Sequence, residues 1–163
     1  MAELTASEKI QPCLVERLTD DDPHSSEESR NNRVVSLPRY KEAVLRDLRW
    51  LLNTRKLRER EGIERFPEAA ESVLNYGIAD FCGLTTSQIR IGELERALEQ
   101  ALKLFEPRII RHSLKVKAVG ANEGAAPGSI SFEIRGQLWA QPIAEQLFIR
   151  TRMDLETGQV EVF

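Results

Sequence analysis

The sequence predicts an α+β protein, with N-terminal helices packed on one face of a C-terminal antiparallel β-meander. Two segments, residues 38–53 and 86–105, carry apolar side chains at helical spacing. After Pro107 the apolar residues recur at about every second position, which is typical of half-buried strands. Helices followed by short strands indicate one antiparallel sheet with the helices on one face.

The composition is typical of a single globular domain. The chain has 163 residues, of which 41% are hydrophobic and 30% charged, and its net charge is −3. That charge gives no overall attraction to nucleic acid or anionic lipid, and no apolar run approaches the roughly 20 residues that span a bilayer. Cys13 and Cys82 lie apart from any Cys/His cluster, so we expect neither a disulfide framework nor a zinc site. The first residues lack the features of a signal peptide, and a cytoplasmic location is expected.

Residues 1–33 are expected to form a flexible leader before a single domain, residues 34–163. The leader is polar apart from a short apolar segment near residues 12–19, which contains Leu14 and Leu18. Two roles fit this segment equally well. It is either a docking peptide for a partner chain or a lid on the protein's own core.

The first long helix, predicted over residues 38–53, follows a candidate N-cap at Ser36. Trp50 and Leu45 fall beside its apolar stripe, where they either widen the buried face or contact a second protein. The charge-rich residues 55–62 that follow predict a solvated linker. The apolar stripe comprises Tyr40, Val44, Leu48, Leu51 and Leu52.

A shorter helix is predicted over residues 68–74, with Gly77 in the left-handed conformation past its end. An irregular apolar connector, residues 78–84, leads to the second long helix, which Pro107 ends. Because the last predicted strand is short, we expect an unpaired sheet edge at the C-terminus. The predicted strands cover residues 113–118, 130–138, 146–154 and 159–163, with a hairpin loop at residues 122–128.

The sequence Glu106-Pro107-Arg108, at the change from helix to sheet, has two interpretations. The first is simple helix termination with a surface ion pair, which would contribute little stability. The second is a partner-contact motif, because proline fixes the backbone and so presents the carboxylate and guanidinium in a defined geometry.

Signatures of enzymes are scarce. Motifs of the types G-x-S-x-G, H-E-x-x-H and G-x-G-x-x-G are absent. His112 is predicted to be a half-exposed surface residue, and residues 20–22, three consecutive aspartates, lack the alternating spacing of a calcium loop. Glu106 is the best candidate for a general acid, but it lies near Arg108 and has no evident second carboxylate. We therefore expect no catalytic residue, metal or cofactor.

Four stretches resemble one family when taken together. Residues 12–20, 40–54, 72–77 and 105–109 resemble, in the same order, the matching stretches of the TssE family of type VI secretion baseplate wedge subunits. That family belongs with the phage-tail baseplate wedge proteins that are called lysozyme-like. The combination is more specific than any one of its parts: Leu51-Leu52-Asn53-Thr54, Asn75-Tyr76-Gly77 and Glu106-Pro107-Arg108.

The resemblance implies a non-enzymatic structural subunit that assembles with TssF and TssG into the wedge and helps to initiate the contractile sheath. Sheath subunits (TssB and TssC), the spike and TssK are the further partners it implies, with no nucleic acid and no membrane insertion. The implied location is the cytoplasm, at the inner-membrane-docked baseplate. Two alternatives remain: a peptidoglycan-hydrolysing lysozyme-like enzyme, and a soluble anti-adaptor-type regulator.

In the family the Glu-Pro-Arg motif is an assembly contact, so the resemblance favours Glu106, Pro107 and Arg108 as partner-binding residues. Leu14, Leu18 and Trp50 are the other candidates for partner binding. The sheet is hypothesised to act as a template to which sheath chains add strands. Alanine variants of Glu106 and Arg108 are expected to fold, because an exposed ion pair contributes little.

Overall fold

The computed structural model describes residue 10 and residues 12–19, 23–24, 35–57, 62–83, 90–119, 128–140 and 144–163. Within these residues, helices come first and a four-stranded antiparallel sheet of strand order β1-β2-β3-β4 follows. The predicted α+β class is confirmed. The elements are α1 (Leu14–Leu18), α2 (Leu37–Asn53), α3 (Pro67–Ala70), α4 (Ile91–Phe105), β1 (Lys115–Val119), β2 (Ser129–Leu138), β3 (Glu145–Asp154) and β4 (Val160–Val162).

Helix α2 lies almost where the sequence predicts it. Ser36 precedes the helix in an extended conformation, and a proline occupies the first turn, where its missing N–H costs nothing. All five residues of the predicted apolar stripe are buried, and Ala43 extends it. Leu45 packs against the core, whereas Trp50 is 53% exposed and therefore lies outside the buried face. Each leucine fully buried on this face contributes about 2 kcal/mol relative to exposure.

The segment after α2 is more ordered than a solvated linker. Arg55 forms a parallel bridge with Ile78, in which the Ile78 N–H donates to the Thr54 carbonyl over 2.9 Å. The Lys56 N–H donates to the Ile78 carbonyl, also over 2.9 Å. The linker prediction is therefore wrong for residues 55–57, and residues 58–61 lie outside the described part of the chain.

The predicted helix over residues 68–74 is divided in two. Helix α3 ends at Ala70, and a separate 3₁₀ turn covers Val73–Asn75. Ser72 separates them, because its hydroxyl accepts a hydrogen bond from the Leu74 N–H over 3.2 Å and donates one to the Ala69 carbonyl over 2.8 Å. A serine side chain thus takes over backbone groups that a continuous helix would use.

Helix α4 covers the sheet with the face that its periodicity predicts. Leu94, Leu98, Ala101 and Leu102 are buried. The predicted start of this helix, at residue 86, lies outside the described residues. The core sits between α2, α4 and the inner face of the sheet, and its largest fully buried side chains include Phe132, Ile134 and Ile149. Among the described residues, no helix combines the length and the apolar composition needed to cross a bilayer.

Both outer strands of the sheet have part of their edge occupied by helix side chains. Asn53, at the end of α2, donates to the Val160 carbonyl over 2.9 Å and accepts from the Val160 N–H over 2.8 Å. Arg49 donates to the Val162 carbonyl over 3.4 Å. On β1, the Ala118 N–H donates to the Glu95 carboxylate over 2.7 Å. The expected unpaired edge at the C-terminal strand is therefore wrong: α2 lies alongside β4 and satisfies most of its outward backbone groups.

Replacing Asn53 with alanine should lower the free energy of unfolding by about 2 kcal/mol, because both polar groups of Val160 lose their partner. Urea unfolding of the purified chain measures this. Gln100→Ala on the exposed face of α4 is the control and should change stability by less than about 0.5 kcal/mol. Equal losses in the two variants would show that Asn53 does not hold the β4 edge.

Candidate functional site

The Glu106-Pro107-Arg108 junction is held from both sides. The Glu106 N–H still donates to the Leu102 carbonyl over 3.0 Å, as in a helix, and the chain then turns at Pro107. Arg108 accepts a backbone hydrogen bond from the Trp139 N–H over 2.7 Å, which ties the junction to the end of β2. Helix α4 and strand β2 therefore fix the backbone on which these side chains stand.

Arg108 joins two carboxylates in a buried cluster. Its Nε lies 2.7 Å from Oε1 of Glu106 and its Nη2 lies 2.6 Å from Oε2, so the pair is bidentate. The same Nη2 donates to Oδ2 of Asp47, on α2, over 2.7 Å. The side chains of Glu106, Arg108 and Asp47 are 3%, 17% and 23% exposed. The interpretation of this motif as a surface ion pair is therefore wrong.

The charges in this Asp47–Glu106–Arg108 cluster are balanced by a second arginine. Arg46 donates from Nε to Oδ1 of Asp47 over 2.9 Å, so two guanidinium groups face two carboxylates. Burial by itself would lower the pKa of Arg108, but its hydrogen bonds to Glu106 and Asp47 outweigh that effect and raise it. The hydrogen bond to Asp47 likewise raises the pKa of Arg46. Both arginines stay charged, and the buried carboxylates remain compensated.

The cluster retains unused hydrogen-bond donors. Nη1 of Arg108 and Nη2 of Arg46 are buried and have no hydrogen-bond partner among the described residues. The guanidinium of Arg46 also stacks over the ring of Trp50, 5.1 Å from its centroid. A continuous series of contacts thus connects the buried Glu106 with the exposed indole of Trp50, so the structure brings three of the predicted partner-binding residues, Glu106, Arg108 and Trp50, into one site.

Helix α1 lies beside this site. Burial raises the pKa of Tyr40, and the nearby negative charges of Glu106 and of Glu16, on α1, raise it further. The Tyr40 hydroxyl donates to the Trp139 carbonyl over 3.1 Å. Leu14 and Leu18, the predicted docking leucines of α1, are 70% and 76% exposed, so neither packs into the core.

The arrangement does not resemble a glycosidase site. Both oxygens of Glu106 are engaged by Arg108, and the carboxyl group is not presented to solvent. Asp47, the second carboxylate of the cluster, is bridged by the same arginine and does not face Glu106 across an open cleft. His112 lies exposed in the turn at residues 111–113.

The other candidate sites for chemistry are also weak. Among the described residues, no group of histidine, cysteine and carboxylate side chains is arranged to hold a metal ion. The three aspartates at residues 20–22 lie outside the described residues. A pocket of about 350 Å³ between α4 and residues 56–79 is lined by Ala97, Ala101 and Leu104 among others, and it includes neither Asp47 nor Glu106.

Two members of the site, Asp47 and Arg46, were not among the candidate residues that the sequence indicated. A signal for Asp47 was nevertheless present. It lies three residues after Val44 and four before Leu51, at the margin of the apolar stripe, where a charged side chain needs a partner. The partner could not be inferred, because Arg108 is 61 residues away in sequence.

Comparison with known families supports the resemblance drawn from the motifs. A family model described as baseplate wedge protein gp25 matches residues 38–143, which include α2 apart from Leu37, α4, β1, β2 and the whole Asp47–Glu106–Arg108 cluster. Comparisons with curated proteins and with solved structures found no match. The family match spans well over half of the chain, and the chain therefore belongs to the family of baseplate wedge protein gp25.

Proposed function

We propose that the chain is a structural subunit of a type VI secretion baseplate. It assembles with TssF and TssG into the wedge, contacts the spike and TssK, and helps to initiate the TssB–TssC sheath at the inner-membrane-docked baseplate. Membership of the gp25 family supports a role in a phage-tail-like baseplate. The resemblance of residues 12–20, which precede the matched region, to type VI wedge subunits supports the specific machine.

The observation that carries this proposal is the connection between the buried ion cluster and Trp50. A carboxylate and guanidinium whose positions are fixed by α2, α4 and β2 form a rigid base for a contact surface. The two guanidinium nitrogens without a hydrogen-bond partner among the described residues are buried, so the part of this site that a partner can reach is Trp50, an exposed aromatic anchor. The geometry suits docking and offers no reacting group.

The leader supplies a second contact in this proposal. We propose that residues 1–33 form a leader with a docking segment near residues 12–19, and that residues 34–163 form the wedge domain. Ile10 is buried and its carbonyl accepts from the Val35 N–H over 2.9 Å, so the leader is anchored to the domain at this point. Leu14 and Leu18 are exposed on α1, where a partner can bury them.

Trp50→Ala tests the partner surface. We expect it to reduce co-purification of the chain with TssF and TssG by about tenfold, because a partly exposed aromatic anchor is lost while the fold is kept. Phe66→Ala is the control, since Phe66 is 66% exposed on the segment before α3. Retained assembly with the Trp50 variant, or equal loss with both variants, would contradict the proposed surface.

If sheath chains add strands to this sheet, the edge that best suits them is the outer edge of β1. Three backbone groups on the outward side of β4 are already bonded to Asn53 and Arg49. On β1, the Ala118 N–H points away from β2, since it donates to Glu95 of α4. Residues two apart on a strand present their backbone groups to the same side, so those of Val116 also point outward. We therefore propose β1 as the edge to which the first sheath ring adds a strand.

Ala118→Pro tests this edge, because the proline ring replaces the N–H that donates to Glu95 and obstructs an added strand at that position, while proline is tolerated on edge strands. We expect the variant to co-purify with TssF and TssG but to abolish sheath formation in cells carrying fluorescent sheath subunits. Ala118→Val keeps the N–H and should support normal sheaths. Normal sheaths with the proline variant would exclude the β1 edge as the template.

The enzymatic alternative has a direct test. The purified chain should leave the turbidity of a peptidoglycan suspension unchanged, because Glu106 is inaccessible and paired. A fall in turbidity would contradict the structural role, and so would failure of the wild-type chain to co-purify with TssF and TssG.

A further inference from the structure

The face of the sheet that points away from α2 and α4, here called the outer face, carries exposed aromatic and basic side chains. Its residues are aligned in rows by the strand register, so Lys115 lies opposite Arg135, which lies opposite Phe148. In the next row, Lys117 lies opposite Glu133 and Glu133 opposite Arg150. The strand register therefore gives the charges on this face a defined order.

Phe148 stands near the middle of this face between two guanidinium groups. Arg135 lies 5.3 Å and Arg150 lies 5.6 Å from the centroid of the ring, and the ring is still 51% exposed. Phe163, at the end of β4, is 64% exposed and has Arg152 5.7 Å from its centroid. Exposed aromatic rings with stacked arginines are characteristic of protein interfaces, where both residue types are enriched.

The outer face has an excess of positive charge, although the whole chain has a net charge of −3. Five basic residues occupy the paired strands on this side: Lys115, Lys117, Arg135, Arg150 and Arg152. Three carboxylates, Glu133, Asp154 and Glu161, share the face, and Lys117 also pairs with Glu95 of α4 over 3.8 Å. Glu133 is 14% exposed and lies 2.6 Å from Arg135 and 3.6 Å from Arg150, so it neutralises part of their charge, but the exposed basic residues of the face still outnumber its carboxylates. A complementary surface must carry negative charge.

We propose that the outer face docks an acidic segment of a partner protein. Such a segment places carboxylates against Arg150 and Arg152 and an apolar side chain against the ring of Phe148. A protein fits better than a nucleic acid, because Glu161, opposite Arg152, interrupts the basic surface along which a phosphate backbone would run. This surface lies on the opposite side of the sheet from α2, and its use does not depend on the partners proposed above.

The probe is a fluorescein-labelled peptide of about twelve residues, all glutamate except for two central leucines. Its binding is measured by fluorescence anisotropy at low and at physiological salt. The wild-type chain should bind it, and the affinity should fall with rising salt. Arg135→Glu combined with Arg150→Glu should weaken binding at least about tenfold, because attraction becomes repulsion. Phe148→Ser should weaken it by about threefold through the loss of the apolar contact.

Arg65→Glu combined with Arg96→Glu is the matched control, since both residues are exposed and lie off the sheet. It should change binding less than about twofold. Three results would overturn the proposal. The first is equal weakening of peptide binding by the control and the outer-face variants. The second is tighter binding of a single-stranded DNA oligonucleotide than of the peptide to the outer face. Finally, a concentration-dependent dimer that the Arg135 and Arg150 changes abolish, without peptide binding, would identify a second copy as the occupant.

Discussion

Glu106→Gln is expected to lower the free energy of unfolding by about 3 kcal/mol. The substitution keeps the size of the side chain but removes its charge, so the buried guanidinium of Arg108 retains only Asp47, a carboxylate that it already shares with Arg46. For a domain of this size the melting temperature should fall by roughly 6 to 12 °C. Urea unfolding and calorimetry of the purified chain measure both quantities.

Glu99→Gln on the same helix provides the control. Glu99 pairs with Lys103, but these side chains are 31% and 40% exposed, and such pairs contribute about 0.5 kcal/mol or less. A similar small effect at Glu106 would mean that the cluster is not a structural link between α2 and the α4–β1 junction. The large effect that burial predicts replaces the sequence-based expectation that an alanine at Glu106 or Arg108 leaves stability nearly unchanged.

The expected loss of stability in the Glu106 variant also affects how its assembly defects should be interpreted. A Glu106 variant that fails to assemble could fail because the junction has loosened, whereas Trp50→Ala removes an exposed ring without disturbing a buried charge. A loss of assembly that appears only in the Glu106 variant, and is rescued at lower temperature, would indicate a stability effect. A loss in both variants at full stability would indicate a shared contact surface.

The parts of the fold that follow from local periodicity were predictable. The apolar stripe of α2 and the alternation in β2 and β3 each reflect one buried face, and a buried face leaves its period in the sequence. The division of residues 68–74 was not predictable by periodicity, because it depends on the hydroxyl of Ser72 competing for backbone groups.

The candidate site was predictable only in part, because its contacts join residues that are distant in sequence. Glu106, Pro107 and Arg108 stand out because proline marks the end of a helix, but their burial depends on Asp47, which is distant in sequence. The occupation of the β4 edge similarly depends on Asn53, 107 residues before Val160. Polar contacts between distant segments leave no periodic signal, so the sequence shows the residues without their partners.

Gly77→Ala is the second substitution with a large expected effect, and it should lower the free energy of unfolding by about 4 kcal/mol. Gly77 was expected to end a helix in the left-handed conformation. It has a φ of +124°, and its role is a close approach between backbones. A Cβ atom here would collide with the carbonyl oxygen of Thr54 and lie 2.8 Å from the carbonyl carbon. The collision falls on the carbonyl that accepts the Ile78 N–H, so alanine must push apart the bridge that holds residues 54–56 against residues 77–79.

Gly62→Ala separates the collision from the backbone strain. Gly62 also has a positive φ, +71°, but among the described residues no atom lies within 4 Å of the position that its Cβ would take. Alanine there should lower the free energy of unfolding by only about 1 kcal/mol, the strain of a non-glycine residue in the left-handed conformation. In urea unfolding, the difference between the two variants measures the close approach itself, and hydrogen exchange at Ile78 should accelerate only in the Gly77 variant. If the two substitutions cost the same, backbone conformation alone explains both glycines, and the contact between residues 54–56 and 77–79 contributes little to stability.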